Sequence, residues 1–241
     1  MVSILQRAEL VEKVYSSATQ LLNFFFPSFC AACKTKLNST ERFVCPSCLS
    51  KIQNASPERI EYECQRKFLN RQIISGLQSA FVFEKEKEFQ TILHSLKYDG
   101  KFLLGKFLGE IAAKETLDNI KTWNADLILP VPLHSLKKAE RGYNQSDFIS
   151  NGISKVLKIP YKTNIIKRTR FTLSQTTMSL EERKQNVHEA FEIKRGKAIA
   201  DKRIIIVDDV ITTGATITEC ARVLKEKGAK EIFAFSAAVA D

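Results

Sequence analysis

The 241-residue sequence predicts an α/β protein with a mostly parallel sheet, preceded by a small four-cysteine module. Three observations lead there. From about residue 77 onward, short apolar runs alternate with segments of helical period, the pattern of strands joined by crossover helices. The run Arg203-Ile-Ile-Ile-Val-Asp-Asp-Val210 has the composition of a buried parallel strand, yet it ends in two adjacent acids. Four cysteines, Cys30, Cys33, Cys45 and Cys48, stand in two x2 pairs near the N-terminus.

Taken in order, residues 3–22 place Ile4, Val11, Val14, Ala18 and Leu21 near helical spacing, which predicts one amphipathic helix ending at Pro27. Residues 28–50 hold the cysteines. Residues 51–75 are polar, contain Pro57 and read as a linker or irregular segment. Residues 77–83 predict a strand. Residues 86–97 and 101–117 predict two helices parted by the turn Tyr98-Asp99-Gly100. Asp126 to Pro132 is a short strand stopped by Pro130 and Pro132. Residues 144–157 predict a helix, and 163–167 a further strand. Ser179 and Glu182 form a capping box that opens a helix running to about Phe191. After the acidic strand, residues 215–227 predict a helix stopped by Gly228, and 231–237 a last strand. The expected division is a helix-plus-cysteine module over 1–60 and an α/β domain over 61–241.

Hydrophobic residues make up 44% and charged residues 27%, so a sizeable core is available and disorder is not expected. No stretch reads as membrane-spanning. Residues 14–33 lack charge but carry Ser, Thr, Gln, Asn and Pro, and the compact apolar part, Leu21 to Phe26, is short. Glu9, Glu12 and Lys13 interrupt any secretory apolar region, and the expected location is cytoplasmic. The net charge of +10 is concentrated: residues 131–203 hold 16 basic and 7 acidic groups. A phosphate-rich partner fits such a segment, and solvated lysines are the plain alternative.

The cysteine pairs, Cys30-x2-Cys33 and Cys45-x2-Cys48, are separated by 11 residues. Two such knuckles suit one tetrahedral zinc ion held by thiolates, with no open position for catalysis. The segment is poor in large apolar residues, so a structural metal would supply folding energy that packing cannot. Two disulfides or free thiols are the alternative, and disulfides are disfavoured in a reducing compartment. Cys64 and Cys220 read as bystanders.

Asp208 and Asp209 sit at the C-terminal end of their strand, the edge at which open α/β sheets bind ligands. The following residues, Thr212, Thr213, Gly214, Ala215 and Thr216, are small or hydroxylated and lead into a helix. Such a loop turns amides and hydroxyls toward an anion, and the helix N-terminus adds positive potential. The acids offer acceptors for sugar hydroxyls or a hydrated Mg2+. A sugar phosphate meets both demands. A plain strand-turn-helix with an acid pair at its mouth is the alternative.

These residues resemble the ribose-phosphate signature of type I phosphoribosyltransferases. The likeness extends through Asp126-Leu-Ile-Leu-Pro-Val-Pro-Leu133, Arg141-Gly-Tyr-Asn-Gln145, Arg168-Thr-Arg170 with Gln175, Arg183 and Asn186, and Leu96-Lys-Tyr-Asp-Gly100. Together with the segment from Leu21 to Cys33, these look like the ComF competence family, in family order over nearly the whole chain. The resemblance implies that Asp208 and Asp209 are the catalytic pair holding the ribose hydroxyls and that Thr212 to Thr216 bind the 5′-phosphate. It implies pyrophosphate contacts at Val131, Pro132, Leu133 and His134, with Arg141 beside them. A mobile basic loop over 168–183, carrying Arg168, Arg170 and Arg183, would close the site. The implied ligand is phosphoribosyl pyrophosphate with Mg2+, and the implied setting is DNA uptake in natural transformation.

Phosphoribosyl transfer breaks a C1–O bond while positive charge develops on the ring, so the protein's task is positioning and electrostatics. Arginine forks suit the phosphates. Each arginine taken singly could equally be a solvated surface charge. Lys137, Lys138, Arg168 and Arg170 are the expected contacts to single-stranded DNA. His94, His134 and His188 form no metal spacing, and Tyr98 and Tyr143 serve either stacking on a base or packing. Three readings stand: a phosphoribosyltransferase, a protein that senses ligand or handles nucleic acid, and an adaptor that docks a competence helicase or DNA-uptake channel through its cysteine module. Only Ala238 to Asp241 follow the last predicted strand, so any cover for the acceptor is expected from upstream, from the cysteine module or residues 51–100; an open cleft is the expectation, and a tight pocket for a free base is the alternative.

Overall fold

The computed structural model describes residues 28–68, 73–170 and 189–240. The chain forms two compact units, Met1–Lys51 and Ile52–Asp241. In the first, the described part is a pair of cysteine knuckles with one short helix, α1 (Pro46–Leu49), which starts on a proline at its first position.

The second unit holds a four-stranded, all-parallel sheet in the order β1-β6-β5-β2. Its strands are β1 (Gly76–Phe83), β2 (Leu127–Pro130), β5 (Arg203–Ile211) and β6 (Glu231–Ala240). The central pair reads as nearly continuous apolar sequence because both faces are covered. Ile204, Ile205, Ile206 and Val207 are all fully buried, as are Ile232, Ala234 and Phe235. Alternation along the strands sends Ile204 and Ile206 to one face, where they join Leu77, Leu127, Leu129, Ile232 and Ala234. That face packs against α8 (Ala215–Glu226) through Ile217, Cys220, Ala221 and Leu224, and against α2 (Pro57–Phe68) through Ile60 and Phe68.

Helices α3 (Glu88–Tyr98), α4 (Phe102–Glu115), α5 (Leu117–Lys121), α6 (Ser135–Arg141) and α7 (Gln145–Leu157) complete the connections. α4 and α7 cross in close contact because Gly109 and Gly152 face each other's backbones. A Cβ on Gly109 would lie 2.2 Å from the Ile149 carbonyl oxygen, and one on Gly152 would lie 2.1 Å from that of Lys106. A two-stranded antiparallel ribbon, β3 (Ile166–Arg168) with β4 (Phe191–Ile193), stands apart from the main sheet.

Two expectations are corrected. The stretch 51–75 is not merely irregular: Pro57–Phe68 forms the twelve-residue helix α2. Ser56 caps it by accepting from the Arg59 amide at 3.2 Å, Pro57 follows the cap, and Glu58 lies in the first turn. Its apolar residues are sparse because part of its buried face is a carboxylate, Glu63. The helix expected to run to Phe191 does not reach that residue, because Phe191 is paired with Arg168 in the ribbon. The helix over 3–22, the capping box at Ser179 and Glu182, Gln175, Asn186, His188 and Arg183 lie outside the described residues. Among the described residues, no helix is long and apolar enough to cross a membrane.

Candidate functional site

The four cysteines converge as their spacing predicts. Their sulfurs all lie within 4.8 Å of one another, and Cys33 Sγ is 3.7 Å from Cys45 Sγ. A tetrahedron with bonds of about 2.3 Å has sulfur–sulfur edges of about 3.8 Å, so the cluster fits zinc, and all four cysteines are free thiols. The knuckles are built by backbone: the Cys30 amide donates to the Thr35 carbonyl at 2.9 Å, and the Cys45 amide donates to Cys30 Sγ at 3.4 Å. Lys34 takes the left-handed conformation the first turn requires. Hydrogen bonds from Thr35 hold the Cys33 thiol down to about 6, within reach of the thiolate a metal needs. Burial pushes the Cys48 thiol up to about 12.

In the larger unit, β5 carries Asp208 and Asp209 to its C-terminal end. Asp209 is almost fully buried, and Lys97 Nζ, from the last turn of α3, lies 2.5 Å from its Oδ2. Gln145 Nε2 approaches the same oxygen at 3.5 Å, and Ser146 Oγ donates to Asp208 Oδ1 at 3.2 Å. Backbone helps too: the Asp209 amide donates to Asp208 Oδ1 at 2.9 Å. The two acids have opposite electrostatics. Burial and the neighbouring Asp209 charge push the Asp208 carboxyl up to about 8. Burial would raise Asp209 as well, but the Lys97 charge and hydrogen bond outweigh it, and Asp209 lies below the usual carboxylate range. Lys97 is correspondingly held above its ordinary value, the attraction of Asp209 exceeding the effect of burial.

Beyond β5, the loop Thr212 to Thr216 enters α8 through Gly214, which is left-handed at φ 75°. Among the described residues, the N–H groups of Thr213 and Gly214 donate to no protein acceptor, while Thr218 Oγ1 donates back to the Gly214 carbonyl at 2.9 Å. An anion cradle needs such outward amides at a helix start.

The second loop, Val131 to His134, leaves β2 beside β5. The Val131 amide donates to the Val207 carbonyl at 2.8 Å, and Asn144 Nδ2 donates to the Val131 carbonyl at 3.0 Å. His134 caps α6, its Nδ1 accepting from the Leu136 amide at 3.3 Å, and it bridges through backbone to Arg168. That bridge brings the base of the ribbon to the loop. Arg141 donates to Gln145 Oε1 at 2.5 Å, and its guanidinium lies 5.5 Å from the Tyr98 ring centre. Burial, then the charges of Arg168 and Arg141, lower Lys137, so these three cations share one region. Lys138, on the same short helix, lies 3.9 Å from Asp147. Arg170 follows the ribbon strand.

Sequence reasoning gave no role to Lys97, Gln145 or Ser146. Lys97 stands in the Leu96-to-Gly100 segment at the end of an amphipathic helix, and Gln145 and Ser146 open the next helix after the Arg141 turn. Each is a polar group at a helix end facing the strand edge, a signal that only the strand order makes readable.

The model of the phosphoribosyl transferase domain matches residues 112–239, which include both loops and the acid pair. The chain belongs to the phosphoribosyl transferase domain family. It is 28% identical to Competence protein F of Haemophilus influenzae, over 86% of this chain and 95% of that protein, and is a ComF-type member. It is also 31% identical to the DNA utilization protein YhgH of Escherichia coli K12, over 58% of this chain and 63% of that relative. A solved glutamine phosphoribosylpyrophosphate amidotransferase from B. subtilis, complexed with ADP and GMP, is similar at 26% identity with a TM-score of 0.34. The likeness covers 56% of this chain and about a quarter, 25%, of that longer one.

Proposed function

We propose that this chain binds phosphoribosyl pyrophosphate with Mg2+ at the end of β5 and acts in the handling of single-stranded DNA during natural transformation. The observation that carries the reading is the meeting, on one sheet edge, of an acid pair, an outward-amide loop at a helix start and a cationic rim. In it, Asp208 and Asp209 take the ribose hydroxyls and Thr212 to Thr216 take the 5′-phosphate. Val131 to His134, with Arg141, take the pyrophosphate, and Arg168 and Arg170 approach from the ribbon. Arg183 belongs to the same proposed closing loop.

As an enzyme the chain would transfer a pentosyl group. The bond between C1 and the pyrophosphate oxygen breaks, and the electron pair leaves with pyrophosphate. Arg141 and its cationic neighbours are suited to meet the charge that develops there. Mg2+, when bound, would neutralise pyrophosphate and orient it. Asp209, kept ionised by Lys97, can hold a hydroxyl as acceptor. Asp208, neutral near pH 7, can donate to one or accept from one. The four-cysteine cluster is proposed to hold one structural zinc ion. The DNA role draws on the names of the relatives and on the basic stretch around Lys137, Lys138, Arg168 and Arg170.

Calorimetric titration with phosphoribosyl pyrophosphate and Mg2+ tests the reading, followed by an assay for pyrophosphate release with bases and with single-stranded DNA. The double variant Asp208→Ala/Asp209→Ala is expected to lose binding and keep the fold. Unchanged affinity in that variant would sink the assignment. Binding by the unaltered protein without pyrophosphate release with any acceptor would favour the adaptor reading, in which the pocket senses a sugar phosphate and the cysteine module docks a partner.

A further inference from the structure

Lys67, near the end of α2, is one of the most enclosed cations in the larger unit, with its side chain 3% exposed. Its ammonium meets three acceptors: Glu63 Oε2 at 2.9 Å, the Ala240 carbonyl at 2.9 Å and the Thr212 carbonyl in a short contact. An ammonium has three N–H donors, so its hydrogen-bonding capacity is filled. Thr212 directly follows β5 and Ala240 ends the neighbouring β6, so one side chain ties the C-terminal ends of two adjacent parallel strands.

The arrangement is costly as a device for stability alone. Glu63 is fully buried and is approached by Arg66 at 2.7 Å and Arg59 at 3.1 Å as well as by Lys67. Burial would raise its carboxyl, but the hydrogen bonds from Lys67 and Arg66 outweigh that and hold it below the usual range. Buried ion clusters of this sort contribute little net stability compared with apolar packing, and they fix geometry instead. What this one fixes is the rotamer of Lys67, and through it the plane of one peptide.

That peptide joins Thr212 to Thr213. A trans peptide is planar, with its carbonyl and its N–H pointing in opposite directions, and the described chain contains no cis bond. With the Thr212 carbonyl drawn toward Lys67, the Thr213 N–H must face away from α2. Among the described residues it donates to no protein acceptor. The next residue is clamped from the same helix: a Cβ on Gly214 would lie 2.7 Å from Phe68 Cε1. Lys67 and Phe68 therefore set the two peptides that begin the proposed phosphate cradle.

We propose that Lys67 is a positioning residue for the anion-binding loop, holding the Thr212 carbonyl back so that the Thr213 N–H is aimed at the sugar 5′-phosphate. The inference rests on the sugar-phosphate reading given above. It adds that α2, outside the stretch matched by the family model, is a working part of that site.

Ribose 5-phosphate is the probe, because it engages the cradle without a pyrophosphate group. The full chain and its Lys67→Met variant are titrated calorimetrically, and the Thr213 amide is followed by nitrogen-15 NMR. The unaltered protein is expected to bind and to show a downfield shift of the Thr213 proton. Lys67→Met is expected to bind at least about tenfold more weakly, with that shift reduced, among molecules shown to be folded. A purely structural role would lower the melting temperature and leave the affinity of the folded fraction unchanged, which would overturn the proposal. Should Lys67→Met fail to fold, Lys67→Met/Glu63→Gln removes the buried charge together with its partner and carries the same comparison. The Thr213 shift in the unaltered protein stands without any variant, and its absence on saturation also overturns the proposal. If the unaltered protein does not bind ribose 5-phosphate at all, the sugar-phosphate reading itself falls.

Discussion

Replacing Asp208 with Asn should stabilise the larger unit, by an amount that grows with pH. The Asp208 carboxyl is pushed up to about 8 from an ordinary value of 3.8, burial being the larger cause and the Asp209 charge the next. For a raised acid the folded state holds its proton where the unfolded chain has lost it. Folding stability therefore declines as pH rises from about 4 to about 8 and then levels off. A shift of about four units corresponds to a ceiling of about 6 kcal/mol. Asp208 keeps partial exposure and accepts from Ser146 and from the Asp209 amide, so part of that ceiling is relieved. About 2 kcal/mol at pH 8 is the expected remainder. An asparagine oxygen can accept both of those hydrogen bonds, so the substitution removes the charge and little else. For a unit of this size, about 2 kcal/mol is a rise in melting temperature of about 4–8 °C at pH 8, shrinking toward pH 5. Asp209 acts with the opposite sign: its carboxyl lies below the ordinary value, so its contribution is lost on acidification, and the comparison belongs above about pH 5. Calorimetric melting of both proteins from pH 5 to 9 is the assay. A difference that does not change with pH, or an Asn variant less stable than the parent at pH 8, would refute the electrostatic account of the pair.

The cysteine cluster gives a second expectation. Cys45→Ser should release one equivalent of zinc per chain, measured by elemental analysis, and loosen the N-terminal unit while the larger unit still melts cooperatively; protein purified without zinc and with two disulfides instead would end the metal reading. The basic segment gives a third. Single-stranded DNA should bind with an affinity that falls steeply with salt, and changing Lys137, Lys138, Arg168 and Arg170 together to Ala removes four charges and should flatten the slope of log affinity against log salt by about 3, at about 0.7 per charge. Binding insensitive to salt, or no binding at low salt, would count against a nucleic-acid role for that surface.

How much of this was legible in the sequence depends on how local each signal is. The sheet's central strands announce themselves because an unbroken run such as Ile204-Ile205-Ile206-Val207 has few other stable fates. The acid pair and the Thr-Gly loop follow directly in sequence, so the strand end and the turn into the next helix were both readable. The cysteine cluster was readable for the same reason, since the x2 spacing itself dictates the turn. α2 was missed because its buried face includes Glu63 and carries few apolar residues, which mimics a solvated segment. Its start was nonetheless written in Ser56-Pro57-Glu58, a cap, a first-turn proline and an acid near the helix N-terminus.

The residues that escaped altogether are those whose partners are distant in sequence. Lys97 reaches Asp209 across 112 positions, and Lys67 reaches Thr212 across 145. No periodicity links them; only the sheet order β1-β6-β5-β2 does. In an open parallel sheet the strand ends lie together on one edge, so helices entering or leaving that edge can all touch one site. This explains a division of labour in the chain. The strand ends supply the acids and the amides, which must sit on rigid backbone. The cations that adjust them, Lys97 on α3 and Lys67 on α2, come from helices whose sequences look ordinary until the sheet brings them to the same edge. A substitution in either helix should therefore alter binding at the edge more than its own amphipathic pattern would suggest.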